Sequence, residues 1–220
     1  MNPFFRVAQF CLVFLVVHPL RAQTQPKFES EIQAFEKADQ ATPPPQHPIL
    51  FTGSSSIRYW TSLPTDFPNK PVLNRGFGGS ELSDVIRYAD RVIVRYQPSQ
   101  VVLYAGENDI ATGKQTGKQT YDRFVTLFKY VRKKLPNVPF TFISIKPSPS
   151  RRQYFAEVDD ANRLIQRFLS RKRNTSFVDI RPVMLQPNGQ PISELFKSDS
   201  LHMTEKGYQR WTQVVKPYLK

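Results

Sequence analysis

Short apolar runs alternate with longer segments of helical period along most of this 220-residue chain. The runs at 49–52, 72–74, 101–105, 140–145 and 177–180 are typical of buried strands. Three segments between them carry apolar side chains on one helical face: 82–96, 121–131 and 161–169. Alternation of strands and helices favours right-handed crossovers and a parallel sheet. The pattern therefore predicts an α/β fold, a three-layer α/β/α sandwich with a five-stranded parallel sheet.

The first 22 residues have the features of a secretory signal peptide. Arg6 precedes an apolar run of 11 residues at 7–17, and Pro19 and Ala22 follow it. This run is well short of the roughly 20 residues that span a bilayer as a helix. We therefore expect cleavage near Ala22, a secreted or periplasmic protein, and no stable membrane insertion.

Two regions are predicted after the signal peptide at 1–22. Residues 28–38 place apolar side chains at helical spacing, and the prolines at 43–45 end any helix there. We therefore interpret 23–47 as a helix with a proline-rich linker, and 48–220 as the main domain.

The chain is basic, with a formal net charge of +13, or about +11 without Arg6 and Arg21. Such a charge can favour anionic surfaces or substrates. Most basic residues lie in helical stretches such as 132–134 and 171–173, where solvated helix ends commonly carry them. We expect no nucleic-acid partner, although a basic protein that adheres to anionic polymers is a rival interpretation. The oligomeric state stays open.

No metal or cofactor is expected from the residue types present. The single cysteine, Cys11, lies in the predicted signal peptide, and no His, Asp and Glu cluster has ligand spacing. The tract 113–120 resembles a phosphate-binding loop, but Thr112 and Gln119 stand where that motif needs a glycine and a hydroxyl residue. We interpret the tract as a flexible surface loop.

Three serines follow the first predicted strand, in the order Gly53-Ser54-Ser55-Ser56, ahead of a helix expected to begin near Arg58. In parallel sheets, ligands bind beyond the carboxyl ends of the strands. A serine at this point is therefore a candidate nucleophile. It is equally a favoured helix N-cap, because its hydroxyl can satisfy a free backbone amide.

Two further segments end at the same predicted edge of the sheet. Residues 74–80 follow the second strand and contain glycines that let a backbone amide approach a ligand. Residues 106–109 follow the third strand and place the Asn108 amide there. Each segment can also be an ordinary turn. The glycine spacing in 74–80 does not fit a dinucleotide-binding loop.

Asp199 and His202 lie just ahead of the last predicted helix, and at three residues apart they can meet across one turn. The other two histidines are His18, in the predicted signal peptide, and His47, in the linker. A general-base histidine, if the chain has one, is therefore expected to be His202.

These four segments resemble, in order and spacing, the SGNH or GDSL hydrolase family, over about residues 48–215. The nearest likeness is to bacterial relatives of platelet-activating-factor acetylhydrolase. The resemblance implies the flavodoxin-like SGNH hydrolase fold. It implies a catalytic triad of Ser55, Asp199 and His202. It also implies an oxyanion hole formed by the backbone amides of Ser55 and Gly79 and by the Asn108 side chain.

One residue departs from the family pattern, because Ser54 stands where the usual Gly-Asp-Ser-Leu has an acidic residue. The departure puts the local hydrogen bonding in question and leaves Ser54 and Ser56 as rival hydroxyls. It also motivates the main alternative, a noncatalytic module that binds carbohydrate or envelope polymer.

The activity implied by the resemblance is cleavage of carboxylic esters through an acyl-enzyme. We expect short acyl groups, acetyl above all, on a small-molecule, carbohydrate or lipid-like substrate. Arg151 and Arg152 follow the fourth predicted strand and are candidates to contact an anionic or sugar-like leaving group. Simple solvation accounts for both arginines as well.

Overall fold

The computed structural model describes residues 25–220. The predicted signal peptide lies outside the described residues. Within 25–220, no helix is both long enough and apolar enough to cross a membrane.

Five parallel strands form one sheet in the order β2-β1-β3-β4-β5. The strands are β1 Ile49–Gly53, β2 Val72–Gly76, β3 Gln100–Tyr104, β4 Phe140–Ile143 and β5 Thr175–Val178. Helices cover both faces, which is why the central strands are buried throughout. The predicted three-layer α/β/α fold is confirmed.

Eight α-helices surround the sheet in the described part of the chain. They are α1 Glu29–Ala41, α2 Ser55–Arg58, α3 Leu63–Asp66, α4 Leu82–Val92, α5 Glu107–Ala111, α6 Gly117–Lys134, α7 Phe155–Leu169 and α8 Glu205–Val215. One apolar core lies between the sheet and α1, α4, α6 and α7, and includes Ile32, Leu103 and Phe124. The other lies against α2, α3 and α8, and includes Trp60 and Trp211.

The predicted bounds of all five strands differ from the observed ones by one or two residues at an end, and for β4 and β5 the structure shows the cause. β4 ends at Ile143 rather than at 145, because both backbone groups of Ile145 bond to the Asn162 side chain and not to a neighbouring strand. β5 covers 175–178 instead of 177–180. The backbone amide of Ile180 bonds to the Ser144 hydroxyl at 3.0 Å, which takes that residue out of the ladder.

Three helix predictions also need correction. α2 begins at Ser55 and not near Arg58. The stripe at 82–96 is α4 followed by a separate 3₁₀ turn at Val94–Tyr96. The tract at 113–120 is not all loop, because Thr116 and Gln119 form a reciprocal capping box that starts α6 at Gly117.

Candidate active site

A hydrogen-bonded chain of Ser55, His202 and Asp199 lies at the carboxyl edge of the sheet. His202 Nε2 is 3.0 Å from the Ser55 hydroxyl oxygen, and His202 Nδ1 is 2.6 Å from Asp199 Oδ2. The imidazole thus bridges a hydroxyl and a carboxylate that are far apart in the sequence. This is the arrangement in which an imidazole can take a hydroxyl proton while a carboxylate stabilises the resulting charge.

Gly53 sets the position of the serine at the end of β1. Its φ is 123°, and a Cβ atom at this residue would lie 1.8 Å from the backbone oxygen of Tyr104. Only glycine therefore allows the chain to approach β3 so closely, with the Ser54 amide donating to the Tyr104 carbonyl at 2.9 Å. The strand then turns directly into α2, and Ser55 is the first residue of that helix.

The three neighbouring serines have different environments. Ser54 and Ser56 are 3% and 2% exposed, whereas Ser55 is half-buried and contacts His202. The Ser56 carbonyl accepts a hydrogen bond from Tyr208 of α8 at 2.9 Å. Of the three hydroxyls, that of Ser55 is the one that faces the imidazole.

Asp199 is held in place by backbone amides as well as by the imidazole. Its Oδ1 accepts from the backbone N–H groups of Leu201 and His202, both at 2.9 Å. Burial raises the pKa of Asp199, but the hydrogen bonds from His202 and from these amides outweigh it and lower the pKa to about 2. The carboxylate is therefore ionised at neutral pH. Tyr59, 41% exposed, packs edge-on against the His202 ring, with centroids 4.9 Å apart.

The segments after β1, β2 and β3 are tied together by side chains. The Ser80 hydroxyl donates to the Gly53 carbonyl at 3.1 Å, and the Asn108 Nδ2 donates to the Ser80 carbonyl at 3.2 Å. One N–H of the Asn108 amide is thus used to orient the group, and the other is not needed for that bond. Gly79 has a φ of 64°, and a Cβ atom added to it would meet no other atom within 4 Å, so its backbone is reachable by a ligand.

Helix α1 contacts the glycine-rich segment after β2. Glu31 accepts from the Gly78 amide at 3.2 Å and pairs with Arg58 at 3.3 Å. Phe28 packs edge-on against Phe77, with ring centroids 5.3 Å apart. A helix that the sequence pattern assigned to a separate region is therefore in contact with the segment that carries Gly79.

Two arginines predicted to bind substrate point to different partners. Arg151 is half-buried, and its guanidinium lies 3.5 Å from Asn108 Oδ1, a long contact. Arg152 is exposed and donates to the side chain of Gln190. The structure thus brings Arg151, but not Arg152, into contact with a predicted site residue.

A buried charge pair beneath the site was missed by sequence reasoning. Lys146 and Glu107 are 1% and 5% exposed and form an ion pair. Tyr104 donates to Glu107 at 2.9 Å, and Ser148 also donates to this carboxylate. Burial lowers the pKa of Lys146, while the Glu107 carboxylate opposes that shift. A lysine directly after an apolar strand was the available signal.

Asp109, next to Asn108, has a structural set of partners. It is fully buried, accepts from the Leu82 amide at 2.9 Å and pairs with Arg123 of α6 at 2.9 Å. Burial raises the pKa of Asp109, against the effect of Arg123.

Residues 25–220 contain no group of three or more His, Cys, Asp or Glu side chains able to hold a metal ion.

The fold and this site define a three-layer α/β/α protein with a serine, histidine and aspartate in contact beyond the strands. The sequence profile of the GDSL-like Lipase/Acylhydrolase family matches residues 46–210. The chain therefore belongs to this family of acylhydrolases and esterases, as the sequence resemblance predicted.

Solved structures share the fold at low sequence identity. A Streptococcus pneumonia protein, provisionally described as a platelet activating factor, is 22% identical with a TM-score of 0.77, covering 88% of this chain and 94% of its own. A GDSL-like lipase from Bacteroides thetaiotaomicron is 19% identical with a TM-score of 0.71, covering 86% and 97%. A family 3 carbohydrate esterase from Clostridium thermocellum is 16% identical with a TM-score of 0.61, covering 79% and 97%. No curated protein matches the chain significantly in sequence.

Proposed function

We propose that this chain is an exported serine esterase that removes short acyl groups, acetyl above all, from a carbohydrate or lipid-like substrate. The observation that carries the proposal is the contact of Ser55 with His202 and of His202 with Asp199. The signal-peptide pattern at 1–22 supports export, and family membership supports ester hydrolysis.

The proposed reaction begins when the Ser55 hydroxyl attacks the acyl carbonyl and His202 accepts its proton. Asp199 holds the imidazole in the tautomer with a proton on Nδ1 and stabilises the imidazolium that forms. The tetrahedral intermediate collapses to an acyl-enzyme as His202 returns the proton to the leaving alcohol. Water, activated by the same imidazole, then releases the acid and regenerates the serine.

Charge that develops on the carbonyl oxygen needs donors that are already oriented. We assign this role to the amides of Ser55 and Gly79 and to the Asn108 side chain, which the Ser80 carbonyl orients. Asn108→Ala is expected to lower kcat by about 10²–10³ with little change in KM. An unchanged kcat would remove Asn108 from the oxyanion hole.

Arg151 is the arginine that we assign to the leaving group. It contacts Asn108 and forms no ion pair within residues 25–220, so its charge is available to a sugar hydroxyl or an anionic group. Arg152 is assigned no such contact, because it bonds to Gln190. The carbohydrate esterase that shares the fold supports a sugar ester as the substrate class.

The test is hydrolysis of a p-nitrophenyl ester series, from acetyl to long-chain, combined with labelling by a fluorophosphonate probe. The purified protein is compared with Ser55→Ala and with the neighbouring variants Ser54→Ala and Ser56→Ala as matched controls. We expect turnover and labelling to vanish only in Ser55→Ala and to favour short acyl chains. Neither turnover nor labelling in the unaltered protein would favour the noncatalytic binding module instead.

A further inference from the structure

A surface cavity of about 750 Å³ lies between the end of α6 and the end of α7. Its wall includes Asn137 and Asn174, which precede β4 and β5. It therefore opens at the amino edge of the sheet, whereas Ser55 and His202 lie at the carboxyl edge. Opposite edges of a parallel sheet are separated by the length of its strands, so this cavity is distinct from the candidate active site.

The cavity is lined by six basic residues and no acidic one. They come from two segments that are about forty positions apart in the chain: Lys129, Arg132, Lys133, Arg171, Lys172 and Arg173. Within residues 25–220, none of the six forms an ion pair with a carboxylate. Folding thus brings two basic clusters together into one concave surface.

Helix dipoles do not account for this concentration of charge. Each helix carboxyl end carries about half a unit of negative charge, so α6 and α7 together offer about one unit. Six cations around one cavity repel one another, and an anionic ligand would relieve that repulsion.

Contacts within the chain hold two of the cavity's cationic side chains in place without a ligand. Arg132 is half-buried and donates to the carbonyls of Pro136 and Val138 at 2.9 and 2.8 Å. Its guanidinium lies over the Phe128 ring, 5.2 Å from the centroid, and the Lys172 ammonium lies 4.9 Å from the centroid of Phe168. Aromatic rings thus support two of the cations, which reduces the conformational entropy lost on binding.

We propose that this cavity is a second binding site, for a linear polymer that carries a phosphate on every unit and no bases. Guanidinium and ammonium groups are the side chains that bind phosphate oxygens. Sequence-tolerant binding of single-stranded nucleic acid uses exposed aromatic faces. Phe128 is only 4% exposed, and Phe168 is half-buried against the apolar core with the Lys172 ammonium over its ring. No large apolar side chain of the described cavity wall is exposed, so the wall has none to insert into a bilayer.

The test measures binding of fluorescently labelled inorganic polyphosphate by anisotropy across a salt series. The variant Arg171→Gln/Arg173→Gln removes two cavity cations. The matched control, Lys37→Gln/Arg87→Gln, removes two exposed cations of α1 and α4 and leaves the same net charge. Ester hydrolysis should be unchanged in both, which shows that both are folded.

We expect the cavity variant to weaken polyphosphate binding at least about tenfold and to reduce the salt slope by roughly 0.7 for each cation removed. The control should change binding less than about twofold, since its cations lie elsewhere. Equal weakening by both variants would overturn the proposal, because net charge alone would then explain binding. So would a lack of polyphosphate binding, or tighter binding to oligothymidylate or to phosphatidylglycerol vesicles.

Discussion

The buried pair of Lys146 and Glu107 makes the strongest prediction about stability. The variant Lys146→Met keeps most of the apolar stem but removes the ammonium that neutralises Glu107. Because the two side chains are 1% and 5% exposed, the carboxylate would be left charged in the interior with only the Tyr104 and Ser148 hydroxyls as donors. Removing one partner of a buried ion pair typically lowers the unfolding free energy by about 3–5 kcal/mol.

Such a loss is large against a total unfolding free energy of about 5–15 kcal/mol. We would measure it by urea unfolding at about pH 7, with the slope of the transition as a check on two-state behaviour.

The double variant Lys146→Met/Glu107→Gln separates the charge from the packing. It removes both charges, so it should be more stable than Lys146→Met alone, and the double-mutant cycle should give a clear coupling energy. A loss below about 1 kcal/mol in the single variant, or strict additivity in the cycle, would refute the reasoning.

Three further predictions concern the candidate active site. Gly79→Ala and the matched control Gly189→Ala both place alanine at a positive φ with open space around it, so each should cost about 1 kcal/mol in stability, but only Gly79→Ala should lower kcat. Alanine keeps the backbone N–H, so a fall in kcat would come from a shift of the positive φ that turns this amide away from the oxyanion. Equal kcat in both variants would contradict the need for a left-handed backbone at Gly79 to orient its amide. Glu31→Gln removes the charge that accepts from the Gly78 amide. With p-nitrophenyl acetate as substrate, we expect kcat to fall several-fold at constant KM. A change in KM alone would contradict a role of Glu31 in orienting the segment that carries Gly79. Asp199→Asn should lower kcat by about 10⁴. The pKa of Asp199 is lowered to about 2, so the ionised carboxylate adds to the unfolding free energy in full above its ordinary pKa of 3.8, and this contribution is lost as the pH falls towards 2. In acid unfolding experiments, the Asp199→Asn variant should lack this loss of stability.

Local pattern was enough to predict the order of strands and helices and to place the candidate residues after the correct strands. Period and apolar content are set by short stretches of chain, and Ser55, Gly79 and Asn108 each follow a strand within a few residues. The ends of elements were less predictable, because they depend on partners distant in the sequence. β4 ends early because Asn162 of α7 takes the backbone groups of Ile145.

The sequence by itself determined the α/β architecture, the family and the residues at the carboxyl edge, since all of these are encoded in consecutive residues. Tertiary structure alone decided that Arg151 and not Arg152 contacts Asn108. It alone paired Lys146 with Glu107 and brought the basic segments around 132 and 172 into one cavity. These contacts depend on the order of strands in the sheet and on the rotation of the helices against it. No short segment of sequence determines either, because both depend on packing between residues that are distant in the chain.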